Sequence, residues 1–331
     1  MKINYLIAIA LAVFSYGKLN AEEKSREEIL KEESRAILEN SLKIAAQFYT
    51  LEEGEELREI TQAVLQSRET RDHIKERILT SGRRIFLFTY PSDGFQVKGY
   101  ISFVPNPSEN PLLIFLRGGN RLLGLMNPAS TYSCMRNYTV LGTAYRGGVS
   151  EGEDKFGGDE VNDVQNLVEY LPTLAQKLEL QLHPKSVFIL AGSRGGMEMF
   201  LSLAKSPALQ QYVSKAASLS GLLDIQECMR YRPDMRKMFI RDFGLVPGEN
   251  EEQWTARRNP LLAVPKIRKD LPFLILQGTE DLRTSLNEGI HMVEKLRENG
   301  NPVDYLEIAG GDHCLSNQPD CLKWIADWFE K

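Results

Sequence analysis

From Leu112 to the C-terminus the chain repeats one pattern. Short runs that are largely apolar occur at Leu112–Leu116 (LLIFL), Tyr138–Tyr145, Ser186–Leu190 (SVFIL), Ala216–Leu219, Phe273–Leu276 (FLIL) and Tyr305–Ile308. Between them lie stretches whose apolar residues recur every three or four positions: Val161, Val164, Leu167, Val168 and Leu171; Met197, Phe200 and Leu201; Ile290, Val293 and Leu296; Leu322, Ile325 and Phe329. A run apolar at successive positions reads as a strand buried on both faces, and the three-to-four spacing reads as a helix with one buried face. Alternation of the two predicts an α/β chain with a mainly parallel central sheet and helices on both faces. Ahead of it, Arg84–Tyr90 and Phe95–Val104 are β-rich and flank Pro91-Ser92-Asp93-Gly94, the signature of a hairpin.

The remaining segments divide the chain. Residues 1–21 carry Lys2, a short apolar stretch from Leu6 to Phe14 and small residues up to Ala21, which reads as a secretory signal peptide and predicts export to the periplasm or exterior. Residues 22–82 read as an N-terminal helical extension, with Leu30, Ile37, Ile44 and Leu51 seven apart, and Leu57, Ile60, Val64 and Leu65 marking a second helix. A further segment uses Ile74 and Ile78. Residues 83–331 form the main domain. Within it, residues 222–270 interrupt the alternation as a lid-like helical insertion rich in Met and aromatic residues, and Met235, Met238 and Phe239 are expected to line a substrate pocket beneath it.

The net charge of −5 carries no basic surplus, which argues against a nucleic-acid partner. Once the leader is removed, no apolar run approaches the roughly 18 residues that span a bilayer. Composition and charge leave the oligomeric state open. The four cysteines, Cys134, Cys228, Cys314 and Cys321, form no C-x-x-C pair, and their pairing is open; Cys314 and Cys321 are near enough in sequence to close a short loop.

The chemistry concentrates where runs end. Ser186–Leu190 leads into Ala191-Gly192-Ser193-Arg194-Gly195-Gly196 and then a helical stretch. A strand, a tight turn of small residues centred on Ser, and a helix form the context of a nucleophile elbow. The matching acid and base should follow in the order Ser, Asp or Glu, His. Of His73, His183, His291 and His313, only His313 directly follows a predicted strand after the serine, in Gly310-Gly311-Asp312-His313. Asp281, in Gly278-Thr279-Glu280-Asp281, is the expected acid, with Glu280 its rival. Ser193 is therefore expected to attack, His313 to take its proton and Asp281 to hold the imidazole. Gly118 and Gly119, at the end of the LLIFL strand, and the backbone N–H of Arg194 are expected to bind a developing oxyanion. No dinucleotide, phosphate-loop or metal-ligand pattern is present, so neither cofactor nor metal is expected.

With these motifs the chain resembles the α/β-hydrolase superfamily. Within that superfamily it is similar to the catalytic domain of the prolyl oligopeptidase family and to dienelactone-hydrolase-like esterases. The resemblance runs from about Phe88 to Phe329. It includes Tyr90–Phe95, Arg117-Gly118-Gly119, Ala144-Tyr145-Arg146-Gly147-Gly148, Glu151–Asp159, the Ser193 elbow, Gly278–Asp281 and Gly310–His313. It implies the α/β-hydrolase fold, with Ser193, Asp281 and His313 as the triad of a serine hydrolase acting on a small ester or short peptide. The sequence departs from the family at Arg117, where His is common, at Ala191, where Gly is usual, and at Gln277, where many relatives have His. The stretch before the domain leaves room for about 60 helical residues rather than the β-propeller of prolyl oligopeptidases. The alternative is a binding protein that keeps the fold without turnover.

Overall fold

The structure, a computed structural model, describes residues 25–129, 135 and 137–331. The leader-like segment 1–21 and Cys134 lie outside the described residues. The chain divides into two compact units, Met1–Ala36 and Ile37–Lys331. In the first, Ser25 caps a helix that begins at Arg26, exchanging hydrogen bonds with Glu28.

The second unit is built on one nine-stranded sheet: β1 (Leu57–Glu59), β2 (Arg84–Ser92), β3 (Phe95–Phe103), β4 (Leu112–Leu116), β5 (Thr139–Thr143), β6 (Val187–Gly192), β7 (Lys215–Leu219), β8 (Phe273–Gly278) and β9 (Val303–Ile308). Its order is β1-β2-β3-β5-β4-β6-β7-β8-β9. The pairings from β1 through β3 to β5 are antiparallel, and those from β5 to β9 are parallel. This is the doubly covered α/β architecture that the alternation predicts. Every residue of β4, β5, β6 and β8 is buried. Alternate side chains feed two cores. Leu112, Ile114 and Leu116 pack with Leu167, Phe200 and Met292 on one face. Leu113 and Phe115 pack with Phe48, Ile78, Ile325 and Phe329 on the other.

Residues 22–82 depart from the helical expectation at one place. Leu57 opens a strand, not a helix. Glu56 to Ile60 lies along the edge of β2, with Leu57 opposite Phe88, and the helix Thr61–Gln66 starts only afterwards. Leu57, Ile60 and Val64 have helical spacing, but the open edge of β2 satisfies the backbone of the first of them better. Thr89 N–H donates to Glu56 O, and Ile60 N–H to Ile85 O. The segment thus joins the sheet instead of only covering it.

The insertion after β7 folds as four helices, Ile225–Tyr231, Pro233–Asp242, Glu251–Arg258 and Pro260–Ala263. Its centre is aromatic. Phe239 lies 4.9 Å from Phe156 and 5.0 Å from Trp254, ring centre to ring centre. Phe239 is fully buried there, so it is a packing residue and not the pocket wall expected from composition. Met235 and Met238 are half-buried against the same cluster. A cleft of about 510 Å³ in this insertion is lined by Gln226, Met229, Arg230, Arg236, Glu251, Glu252 and Thr255, and by none of the three expected residues.

Candidate active site

Ser193 stands between β6 and the helix Arg194–Lys205 with φ +55° and ψ −127°, a conformation a side-chain-bearing residue adopts only under constraint. Three backbone bonds impose it. Ser193 N–H donates to Leu219 O at 3.0 Å, and Ser193 O accepts from Gly196 N–H at 2.9 Å and Leu222 N–H at 2.8 Å. The glycine requirement is steric. A Cβ on Gly195 would sit 2.1 Å from Leu116 O, and one on Gly196 would sit 2.9 Å from Gly221 Cα. The result leaves Ser193 partly exposed at the end of the sheet, ahead of a helix N-terminus.

The Gly-Gly turn after β4 reaches the same place. A Cβ on Gly118 would fall 2.7 Å from Ser193 Cβ and 3.2 Å from its Oγ, so this turn lies directly against the hydroxyl. Arg194 occupies the first turn of its helix, where an N–H has no carbonyl one turn back to bond.

Asp281 and His313 meet where β8 and β9 end. Their loops are stitched by Thr279 N–H to Ile308 O, Glu280 N–H to Gly311 O and Gly310 N–H to Thr279 Oγ1. A Cβ on Gly278 would sit 2.1 Å from Gly311 O, so only glycine permits that approach. His313 Nδ1 lies 2.9 Å from Asp281 Oδ2 and 3.0 Å from Oδ1. Asp281 is buried and accepts from Arg283 N–H, Thr284 N–H and Thr284 Oγ1. Burial alone would raise its carboxyl, but His313 and the Thr284 donors outweigh it and hold it below the ordinary carboxylate range. Burial alone would lower the His313 imidazole, and Cys314 and Asp281 outweigh that and raise it above the ordinary value. The rival acid Glu280 is exposed.

Cys314 links the two halves. It has φ +58°, its N–H donates to Ser220 Oγ at 2.9 Å, and its Sγ lies 3.9 Å from Leu219 O, the carbonyl that also receives Ser193 N–H. A Cβ on Gly192 would be 3.7 Å from that sulfur. Cys228 and Cys314 are free thiols, so the short Cys314–Cys321 bridge does not form. The other histidines lie elsewhere. His73 and His183 are exposed, and His291 pairs with Asp224 at 2.9 Å.

Two supporting side chains carry no signal of this role in the sequence. Gln277, noted only as a departure, is fully buried and donates to Thr284 Oγ1 at 2.9 Å and to Asp281 Oδ2 at 3.3 Å. Arg194, expected to act only through its backbone, also buries its guanidinium among Asp154, Glu160 and Glu198. Burial and the neighbouring carboxylates push the Glu198 carboxyl up to about 8 despite Arg194. The Glu151–Asp159 motif held a signal for this cluster, since it places Asp154 among glycines.

Against this geometry, residues 129–331 match the model of the prolyl oligopeptidase family. The chain belongs to the prolyl oligopeptidase family. It is therefore a serine hydrolase of the α/β-hydrolase superfamily. An uncharacterized peptidase of Bacillus subtilis (strain 168), YtmA, is 27% identical over 230 residues, covering 67% of this chain and 82% of the relative. The acylamino-acid-releasing enzyme of Arabidopsis thaliana is 25% identical over 245 residues, covering 68% of this chain and 31% of that enzyme. Among solved structures, Pyrococcus horikoshii acylaminoacyl peptidase superposes with a TM-score of 0.60 at 17% identity, covering 74% of this chain and 41% of the peptidase. A Pyrococcus furiosus esterase superposes with a TM-score of 0.55 at 16% identity, covering 76% of this chain and 92% of the esterase. The chain thus spans less than half the length of the plant enzyme and the archaeal peptidase, and at these identities the structural likeness bears on the fold.

Proposed function

We propose that the protein cleaves an ester or peptide bond of a small substrate through a Ser193–His313–Asp281 acyl-enzyme mechanism. The observation that carries this reading is the buried Asp281 carboxylate bound to His313 Nδ1, with the next residue, Cys314, placing its sulfur 3.9 Å from Leu219 O, the carbonyl that receives the N–H of a strained, solvent-reachable Ser193. With Nδ1–H committed to Asp281, the lone pair of His313 Nε2 is left to take the Ser193 proton. Ser193 Oγ then bonds to the substrate carbonyl carbon. The carbonyl oxygen takes up negative charge, and the N–H groups of Gly119 and Arg194 are the donors that meet it. His313 passes its proton to the leaving alcohol or amine, and water releases the acyl group by the same steps.

The small-ester or short-acyl-peptide class is supported by the relatives' printed activities, which include both esterase and acylamino-acid release. Export is part of the same proposal. It is supported by the leader pattern in residues 1–21 and is checked by the N-terminal mass of the mature protein from its native cell.

The test is a panel of p-nitrophenyl esters of increasing chain length beside N-acylated and free peptide anilides. Turnover with a burst of one p-nitrophenolate per enzyme supports the acyl-enzyme route. Hydrolysis that persists in Ser193→Ala at the wild-type rate overturns it.

A further inference from the structure

We propose that Arg117 is a positioning residue that orients the oxyanion donor of Gly119, with the Arg194 side chain holding the next peptide unit of the same turn. This rests on the triad reading above. Arg117 follows β4 and is buried, at 3% exposure. Its guanidinium spends its donors on backbone carbonyls. Nη1 donates to Gly118 O at 2.9 Å and Leu123 O at 3.2 Å; Nη2 donates to Arg121 O at 2.8 Å and Ala144 O at 2.7 Å; Nε donates to Ala144 O at 3.3 Å.

The bond to Gly118 O has a stereochemical consequence. In a trans peptide unit the C=O and N–H point in opposite directions. The unit that joins Gly118 to Gly119 has its oxygen fixed on Arg117, so the Gly119 N–H is turned away from the guanidinium. The Gly118 Cα in that unit lies against Ser193. Among the described residues, no hydrogen bond uses the Gly119 N–H. The following unit is held in the same way, with Gly119 O accepting from Arg194 Nη1 at 3.0 Å. One residue on, Arg121 N–H donates to Asp154 Oδ2 at 2.8 Å, the oxygen that also pairs with Arg194 Nη1 at 2.7 Å. The turn cannot rotate its amides without breaking charge-assisted bonds, which are stronger than neutral ones. A preset donor is what oxyanion stabilisation requires, because no reorganisation is then left for the reaction step.

A structural filler and an orienting clamp differ in what they do to kcat, KM and oxyanion affinity. The test compares wild type with Arg117→Lys and Arg117→Gln. Both retain donors in the cavity, and Lys also retains the charge. The readouts are melting temperature, kcat and KM on one p-nitrophenyl ester, and inhibition by an alkyl trifluoromethyl ketone, which forms a tetrahedral oxyanion on a serine. The clamp is supported if kcat falls roughly 10- to 100-fold, KM stays within about 3-fold, and the inhibition constant weakens in step with kcat/KM. It is overturned if both variants keep wild-type kcat and inhibitor affinity, whatever their melting temperature. It is also overturned if kcat falls while inhibitor affinity stays. A fluorophosphonate probe on the wild type separates this from the underlying reading: label on Ser193 with unchanged Arg117 variants rejects the clamp alone, whereas label elsewhere rejects both.

Discussion

At the residue scale, Asp281 and Glu280 are neighbours in sequence with opposite surroundings. Asp281 is buried under donors from Thr284, Arg283 and Gln277, and Glu280 faces water. Asp281→Asn is therefore expected to lower kcat by about 10³–10⁴-fold, because Asn cannot stabilise the imidazolium that forms on His313. Glu280→Gln is expected to stay near wild type, and a steady-state assay of the two variants checks the ranking. The pH profile carries a second prediction. Cys314 and Asp281 raise His313 above its ordinary value of 6.5, so proton removal, and with it kcat/KM, should rise along a limb centred above pH 6.5. Cys314→Ser removes one of the raising groups and is expected to move that limb toward lower pH while leaving the plateau largely intact. A limb at or below 6.5 in wild type would contradict the assigned surroundings of His313.

At the scale of elements, the parallel strands were legible because burial on both faces demands apolar residues at every position, as in Leu112–Leu116 and Phe273–Leu276. The order of Ser193, Asp281 and His313 could be read for a related reason: in a parallel sheet, successive strand ends collect at one edge. β1 was not legible, since three residues on an edge carry no periodicity and Leu57 fits a helical stripe equally well. The Arg117 clamp was hidden too, because its acceptor Ala144 O is 27 residues away in sequence. Met and aromatic residues in the insertion read equally as pocket or core, and three-dimensional packing places Phe239 in the core. Phe239→Ala should cost about 3–5 kcal/mol of stability, seen as a lower melting temperature, with the ranking among ester chain lengths unchanged. A shifted ranking at constant melting temperature would return Phe239 to a pocket role.

At the scale of the whole molecule, two fully buried carboxyls lie near the site, Glu198 paired with Arg194 on its own helix and Glu288 joining a loop to a helix. Glu198 sits within the Arg194 cluster, and Glu288 accepts from Leu223 N–H at 3.0 Å and Ser285 N–H at 3.2 Å. Burial pushes both up to about 8, from an ordinary value of 4.5. Each folded-state pKa exceeds its unfolded value, so the folded protein binds the protons more tightly. The stability this supplies is complete below about 4.5 and is lost as pH rises through 8. Melting temperature is expected to fall between pH 5 and 9, and to fall less steeply in Glu198→Gln and Glu288→Gln. A wild-type profile that rises over this window would contradict the assignment.

The central claim is that Ser193 is a nucleophile armed by His313. The most direct measurement is peptide mapping by mass spectrometry after brief exposure to a fluorophosphonate at neutral pH. The triad reading predicts one stoichiometric adduct on Ser193, none in Ser193→Ala, and labelling slowed by orders of magnitude in His313→Ala. An adduct on another residue, or a rate at Ser193 that His313→Ala leaves unchanged, would contradict it.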